Sequence, residues 1–133
     1  MITGGAGFIG SNFVKLMFDK HPDYKIINID ALTYAGNLEN LKDIDKNLNY
    51  EFIRIDIRDR EAIDQIFKKH EITSVVNFAA ESHVDRSIEN PEIFLNTNII
   101  GTQVLLDTAK KYWKINPEDK YCREYKSGVK FLQ

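Results

Sequence analysis

The chain has 133 residues and a nearly balanced charge, with 18 Lys and Arg against 20 Asp and Glu and a net charge of -2. This length suits one domain, and the charge balance excludes the strongly basic surface that nucleic acid or an anionic membrane would require. Cys122 is the only cysteine, so an internal disulfide is excluded, and the lack of a long apolar run or a leader-like N-terminus predicts a cytoplasmic protein.

The first predicted elements are a strand over Met1–Thr3 and a helix from Phe8 to about Lys20. Strands usually span about five or six residues. This strand is short for the centre of a sheet, so we expect the sequence to be part of a longer one. Four apolar residues of the helix have helical spacing and are expected to face the core. They are Ile9, Phe13, Leu16 and Met17.

A glycine-rich turn separates this strand from this helix. Gly5, Gly7 and Gly10 follow the G-x-G-x-x-G spacing of a dinucleotide site. Gly4, Gly7 and Gly10 follow the wider G-x-x-G-x-x-G variant of the same turn. Glycines permit a tight turn, a close approach of the backbone to a pyrophosphate and close packing of the helix on the strand. The phosphates would then meet the free N–H groups of the helix that begins near Phe8.

The second predicted strand, Lys25–Asp30, ends in an acid twenty positions beyond Gly10. Dinucleotide sites place a ribose-binding carboxylate at about this distance. The Asp30 carboxylate can accept hydrogen bonds from both ribose hydroxyls and would repel a 2′-phosphate. The predicted cofactor is therefore NAD rather than NADP. A loop and a short polar helix near residues 38–44 follow.

A third strand is predicted over Tyr50–Ile55, and Asp56 follows it at a carboxyl end, where open α/β sheets bind ligands. Asp56 either accepts from an adenine amino group or serves only as a turn or cap carboxylate. Asp59 is predicted to N-cap an amphipathic helix from Arg60 to about His70. The residues of that helix expected to face the core are Ile63, Ile66 and Phe67.

A fourth, continuously apolar strand over Ser74–Ala79 leads into Ala80–Ser87, a segment rich in polar and charged side chains. A surface loop can have this composition for solubility alone. Because the segment follows the carboxyl end of a central strand, we interpret it as a loop that forms the wall of a pocket.

The last predicted elements are a long helix and a fifth strand. Asn90 and Pro91 form a cap and first-turn pair, and the helix that they open runs to about Trp113 and is broadly apolar. Thr97 and Asn98 lie within it as either satisfied core groups or cofactor contacts. With a strand over residues 128–133, the fold predicted is a Rossmann-type, doubly wound parallel α/β sheet of about five strands, and residues 1–133 form one NAD-binding domain.

Three motifs, Thr3–Asn12, Asp30–Asn40 and Ala79–Ile88, resemble the extended short-chain dehydrogenase/reductase family, and within it the NAD-dependent epimerases and dehydratases of nucleotide sugars. The resemblance covers essentially the whole chain, and the second and third motifs favour a dehydratase. It implies a set of NAD contacts and two substrate contacts, with no metal ligands and no catalytic residue. The implied NAD contacts are Gly4, Gly7, Phe8, Ile9, Gly10, Asp30, Ala31, Leu32, Thr33, Asp56, Ile57, Ala79, Ala80, Glu81 and Thr97. The implied substrate contacts are Ser82 and His83.

The reaction implied by the resemblance is an internal redox dehydration of dTDP-glucose, catalysed by a lyase. The glucosyl C4 is oxidised, the C5 proton becomes acidic, water leaves from C6 and the hydride returns there. The chain has neither of the family's two groups of acid–base residues. The first is a Thr-Asp-Glu group, and the second is a Tyr-x-x-x-Lys pair, which is missing because no tyrosine has a lysine four positions on. We therefore expect the cofactor-binding half of an enzyme, inactive alone and homodimeric when intact.

Two other functions fit the same sequence. One is an NAD-dependent epimerase or dehydratase that acts on a different sugar nucleotide. The other is a non-catalytic NAD-binding or interaction module, in which the broadly apolar helix Pro91–Trp113 docks a partner.

Overall fold

The computed structural model describes residues 1–133 as five strands with helices between them. The strands are β1 (Ile2–Thr3), β2 (Ile26–Asp30), β3 (Tyr50–Arg54), β4 (Ser74–Asn77) and β5 (Lys130–Leu132). The α-helices are α1 (Phe8–Lys20), α2 (Arg60–Lys69), α3 (Val84–Glu89), α4 (Pro91–Phe94) and α5 (Thr102–Trp113). A 3₁₀ turn, Leu38–Leu41, stands where a slightly longer helix was predicted, and a π-helical segment, Leu95–Gly101, joins α4 to α5. None of the helices has both the length and the apolar character needed to cross a membrane.

All strand pairs are parallel, and the strand order is β3-β2-β1-β4-β5. The short β1 is central, because Ile2 pairs with Asn28 on one side and with Val76 on the other. The predicted doubly wound sheet of five parallel strands is therefore confirmed. The carboxyl ends of β1, β2 and β4 lie next to one another, which is where such sheets bind ligands.

Each face of the sheet has its own hydrophobic core. On one face α2 and α5 pack against the sheet, and Ile63, Leu105 and Trp113 lie buried there with Ile27 and Val75. On the other face α1 buries Val14 and Phe18 against β1 and β2, in a cluster that also includes Ile2, Ala6, Ile26 and Leu41. Because both faces are covered, all five residues of β2 are buried, including the polar Asn28 and Asp30.

The predicted inward face of α1 is wrong for two of its four residues. Ile9 is 67% exposed and Leu16 is 48% exposed, whereas Phe13 and Met17 are partly buried against the smaller core. The fully buried apolar side chains of the helix are Val14 and Phe18. The reason is Gly10, the residue at which the helix approaches the turn most closely. Since Gly10 must face inward, the positions four and eight residues later face inward with it.

The region after β4 also differs from the prediction. Residues 84–89 form α3 rather than loop, and none of them is buried. The long helix predicted to begin at Pro91 contains the π-helical segment, and the Asn90 side chain makes no capping hydrogen bond. At Gly101 a side chain would meet the Cδ1 atom of Ile57 at 2.5 Å, so the π-helical segment passes close to the end of β3.

Candidate functional site

The glycine turn between β1 and α1 forms the floor of the candidate site. Gly4 has φ +66°, a conformation that favours glycine, and the Gly7 N–H donates to its carbonyl at 3.1 Å. A side chain at Gly10 would lie 2.3 Å from the same carbonyl oxygen. The N–H groups of Phe8, Ile9 and Gly10 have no acceptor in the chain. The turn therefore presents a set of free donors at the positive end of α1, an arrangement suited to an anion.

Asp30 stands at the carboxyl end of β2, beside this turn. Its Oδ2 accepts from the Ala6 N–H at 2.9 Å and its Oδ1 accepts from the Leu32 N–H at 2.8 Å. The residue is 9% exposed. Each carboxylate oxygen has a further lone pair, so the group can also accept from hydroxyls of a ligand.

The loop after β2 is tied to the glycine turn. The Ala6 carbonyl accepts from the Asn37 N–H and from the Asn40 side-chain amide, each at 3.0 Å. Gly36 packs so closely that a side chain there would lie 2.9 Å from Asp30 Oδ1. Leu32 has φ +54°, which is rare for a residue with a side chain. These contacts hold the loop in one position against the turn.

The segment after β4 forms the other wall and is held by Asn98 from the π-helical segment. The Asn98 amide pairs with the backbone of Glu81 in both directions, each hydrogen bond being 2.8 Å long. The Thr3 hydroxyl donates to the Asn77 side chain and accepts from the Ala79 N–H, which connects β1 to the start of this wall. Glu81 is buried, and its Oε2 has no hydrogen-bond partner. That oxygen is an unused acceptor at the site.

Asp56 and Arg58 form a pair at the end of β3. The Arg58 guanidinium donates to both carboxylate oxygens of Asp56, and the Arg58 N–H donates to Oδ1 at 2.9 Å. The side-chain hydrogen bonds from Arg58 hold the pKa of Asp56 below its usual value. Both interpretations of Asp56 thus stay open, because it closes a local turn and still lies at the site.

These elements surround an open cleft of about 340 Å³. Most of the residues predicted to contact NAD line it. They are Gly4, Gly7, Asp30, Ala31, Thr33, Asp56, Ile57, Ala79, Ala80, Glu81 and Thr97. No group of three or more His, Cys, Asp or Glu side chains in the chain is arranged to hold a metal ion.

Six of the predicted site residues do not line the cleft. Phe8 and Ile9 point their side chains into solvent, so only their N–H groups face an incoming ligand, while Gly10 is buried beneath the turn. Ser82 and His83 are exposed, at the start of the segment that leads into α3. The sixth is Leu32, which packs against the smaller core.

Sequence reasoning missed several lining residues. Tyr34, Gly36 and Arg86 lie within the second and third motifs of the sequence, so the signal was present, but the implied contacts did not include them. Arg86 lies with its guanidinium carbon 4.2 Å from the centre of the Tyr34 ring. Arg58 was missed because its part in the cleft depends on the pairing with Asp56, which no spacing rule reveals.

The residues present fit a dinucleotide. The free N–H groups suit a pyrophosphate, and Asp30 suits a ribose. The positions where a side chain would collide are glycine, and Glu81 provides a buried, unused acceptor. This combination of one anion-binding end and one hydroxyl-binding carboxylate is typical of the first half of a nucleotide-binding sheet.

Comparison with known proteins gives a consistent set of similarities. The family model described as GDP-mannose 4,6 dehydratase matches residues 1–132. The chain is 50% identical over 120 residues to a dTDP-glucose 4,6-dehydratase of Escherichia coli and 51% identical to one of Salmonella typhimurium. Each match covers 90% of this chain and 33% of the relative. The chain thus spans about a third of the length of the curated relatives it matches.

Solved structures agree with these similarities. A dTDP-glucose 4,6-dehydratase of Bacillus anthracis in complex with NAD matches with a TM-score of 0.73 and 49% identity, over 84% of this chain and 33% of that one. A dTDP-glucose 4,6-dehydratase of Streptomyces venezuelae with NAD bound matches with a TM-score of 0.76 and 44% identity, over 84% and 35%. A UDP-glucose 4-epimerase of Thermotoga maritima matches with a TM-score of 0.74 and 39% identity, over 84% and 33%.

Proposed function

The chain belongs to the family described as GDP-mannose 4,6 dehydratase, and from this premise we propose that it is the NAD-binding part of a dTDP-glucose 4,6-dehydratase. The observation that carries the proposal is that the Asp30 carboxylate and the turn glycines Gly4 and Gly7 line one cleft. The free N–H groups at the start of α1 follow Gly7 directly. The NAD reported in similar dehydratase structures supports the same cofactor here.

In the proposed complex the chain binds the dinucleotide along the carboxyl ends of β3, β2, β1 and β4. The N–H groups of Phe8, Ile9 and Gly10 donate to the pyrophosphate, and Asp30 accepts from the adenosine ribose. Asp56 and Ile57 flank the adenine. Gly4 and Gly7 belong to the turn at the pyrophosphate, and Ala31, Leu32 and Thr33 are the remaining proposed contacts at the ribose.

The wall after β4 would hold the nicotinamide. We assign this side to Ala79, Ala80, Glu81 and Thr97, with Glu81 offering the acceptor that has no partner in the protein. NAD, when bound, supplies a hydride acceptor and donor that is regenerated within one turnover. The task of these residues is to hold the ring in one orientation and to limit access of water. Asn98 is a positioning residue here, because it fixes the backbone of Glu81 without lining the cleft.

The sugar substrate would meet the chain at Ser82 and His83, which are exposed at the end of the same wall. We propose dTDP-glucose as the substrate and dTDP-4-keto-6-deoxyglucose as the product of the intact enzyme, since the curated relatives are dTDP-glucose 4,6-dehydratases. The relatives are about three times as long as this chain, and we assign the acid–base groups of the reaction to a region without a counterpart in these 133 residues. The chain alone is then inactive.

We also propose that the intact enzyme is a cytoplasmic homodimer. The π-helical segment and α5 leave a row of apolar side chains exposed, formed by Leu95, Ile99, Ile100 and Leu106. Neighbouring exposed apolar residues on one helix favour packing against another helix or subunit. Sedimentation of the intact protein checks this part, and a monomer with full activity would contradict it.

Two experiments test the proposed function at its two levels. Calorimetric titration of this chain with NAD and with NADP tests the binding part, and we expect NAD to bind more tightly because Asp30 repels a 2′-phosphate. Turnover by the full-length gene product tests the substrate, with dTDP-glucose and UDP-glucose compared. Preference for UDP-glucose with inversion at C4 would favour the epimerase alternative, for which the similarity to the Thermotoga maritima structure is the supporting observation.

A further inference from the structure

One contact connects the two walls of the cleft across the glycine turn. The loop after β2 carries Tyr34, and α3, which follows β4, carries Arg86; both residues line the cleft. Since β2 and β4 lie on opposite sides of β1, a contact between these loops passes over the end of β1 where the glycine turn begins. The guanidinium of Arg86 lies over the Tyr34 ring at 4.2 Å, and the His83 ring meets the edge of the same ring with centroids 6.5 Å apart.

The two partners differ in how firmly they are held. Tyr34 lies in the loop that hydrogen-bonds to the Ala6 carbonyl, so its backbone is fixed to the glycine turn. The helix that carries Arg86 has no buried residue, and its apolar side chains Val84 and Ile88 are 69% and 77% exposed. An element with so few buried contacts is among the first to open in a folded protein.

The hydrogen bonds also show that α3 is held less firmly than the loop that carries Tyr34. The amides of Ser87 and Asn90 donate only to the nearby carbonyls of His83 and Arg86, at 3.1 and 2.9 Å. No side-chain hydrogen bond or ion pair joins a residue of α3 to the opposite wall of the cleft. On its own side of the cleft α3 packs against α4. Across the cleft, the surface that it contacts is the ring of Tyr34.

We propose that Arg86 and Tyr34 form a latch that keeps α3 closed over the dinucleotide cleft. The inference rests on the proposed NAD site, since it concerns how the cofactor enters and leaves that site. The latch is already formed in the free protein, so α3 must open both to admit and to release the cofactor. A latch of this kind slows entry and exit by the same factor and leaves the equilibrium affinity unchanged.

Removing the ring opens the latch. The attraction between a cation and an aromatic ring at an exposed site raises the ratio of closed to open forms about two- to fivefold. We expect Tyr34→Ala to raise both the association and the dissociation rate of NADH two- to fivefold, measured by stopped-flow fluorescence of the reduced nicotinamide. Tyr34→Phe keeps the ring and should keep the wild-type rates. Tyr121→Ala is the matched control, because it removes an exposed ring under the Lys120 ammonium, outside the residues that line the cleft.

The pattern of rates decides between a latch and a direct contact. Unchanged rates in Tyr34→Ala would overturn the proposal. A faster dissociation with an unchanged association would also overturn it, because Tyr34 would then be a ligand of the cofactor and not part of a gate.

A measurement without cofactor keeps the latch testable if the chain does not bind NADH. Hydrogen exchange of the Ser87 and Asn90 amides should be two- to fivefold faster in Tyr34→Ala than in the wild type, with the amides of α2 unchanged. Failure of the wild type to bind NADH would refute the proposed function, and the latch would then be decided by exchange alone. Equal exchange in the two proteins would refute the latch whether or not NADH binds.

Discussion

The substitution Asp30→Asn tests the assignment on which the choice of cofactor depends. In the free protein the carboxylate accepts from the N–H groups of Ala6 and Leu32, one on each oxygen. Asparagine keeps one acceptor and places an amide donor where the second oxygen was. One backbone N–H then faces another donor, and a ligand hydroxyl loses a charged acceptor.

The expected magnitude follows from these contacts. A hydrogen bond to a charged group is worth about 1.5–3 kcal/mol, so losing the bond to one ribose hydroxyl lowers NAD affinity by about 10- to 100-fold. Separately, the unpaired N–H at Ala6 or Leu32 destabilises the folded protein and lowers its free energy of unfolding by ~1–3 kcal/mol. The preference for NAD over NADP also shrinks, because the charge that repels a 2′-phosphate has gone.

Calorimetric titration with NAD and NADP measures both affinities, at a temperature where circular dichroism shows the variant to be folded. Asp19→Asn is the matched control, because it removes one negative charge from the exposed end of α1, where Asp19 makes no hydrogen bond or ion pair. The ratio of the two affinities is insensitive to a general loss of stability. If Asp30→Asn binds NAD within twofold of the wild type and its NAD-to-NADP ratio is unchanged, the carboxylate does not contact the ribose.

Three further outcomes follow from other contacts. Gly10→Ala should lower the free energy of unfolding by roughly 2 kcal/mol or more, because the added methyl group would lie 2.3 Å from the Gly4 carbonyl oxygen; an unchanged melting temperature would contradict this contact. Burial lowers the pKa of the Met1 ammonium from 8.0 to about 5. The unfolded chain therefore binds more protons between these values, and stability measured in urea should rise from pH 5 to pH 8 and become flatter after N-terminal acetylation. Asn98→Ala should weaken NAD binding several-fold and speed amide exchange at Glu81, whereas equal exchange would show that the paired amide does not hold that wall.

Most of the fold could be predicted from the sequence because its signals are local. The glycine spacing fixes the passage from β1 to α1, and the apolar run of β2 with an acid at its end fixes the second strand. The N-cap at Asp59 was also predicted, and its side chain accepts from the Ala62 N–H at 3.0 Å. Each of these features depends on residues close together in the chain.

The features that escaped prediction depend on contacts between distant residues. Helical spacing alone did not show which stripe of α1 faces the sheet, because that choice is set by the contact of Gly10 with Gly4. The π-helical segment was not predicted either, and it passes close to the end of β3, where a side chain at Gly101 would lie 2.5 Å from Ile57 Cδ1. The contact between Tyr34 and Arg86 joins two motifs about fifty positions apart, and no spacing rule connects them.

The measurement that tests the account most directly is a titration of the isotope-labelled chain with NAD, followed through its backbone amide resonances. The account predicts that the largest shifts occur at Phe8, Ile9 and Gly10, whose N–H groups have no acceptor in the protein, and at Asp30. Smaller shifts should follow at Glu81. Shifts confined to residues outside the cleft, or no shifts at millimolar NAD in a folded chain, would contradict the claim that this is a dinucleotide site.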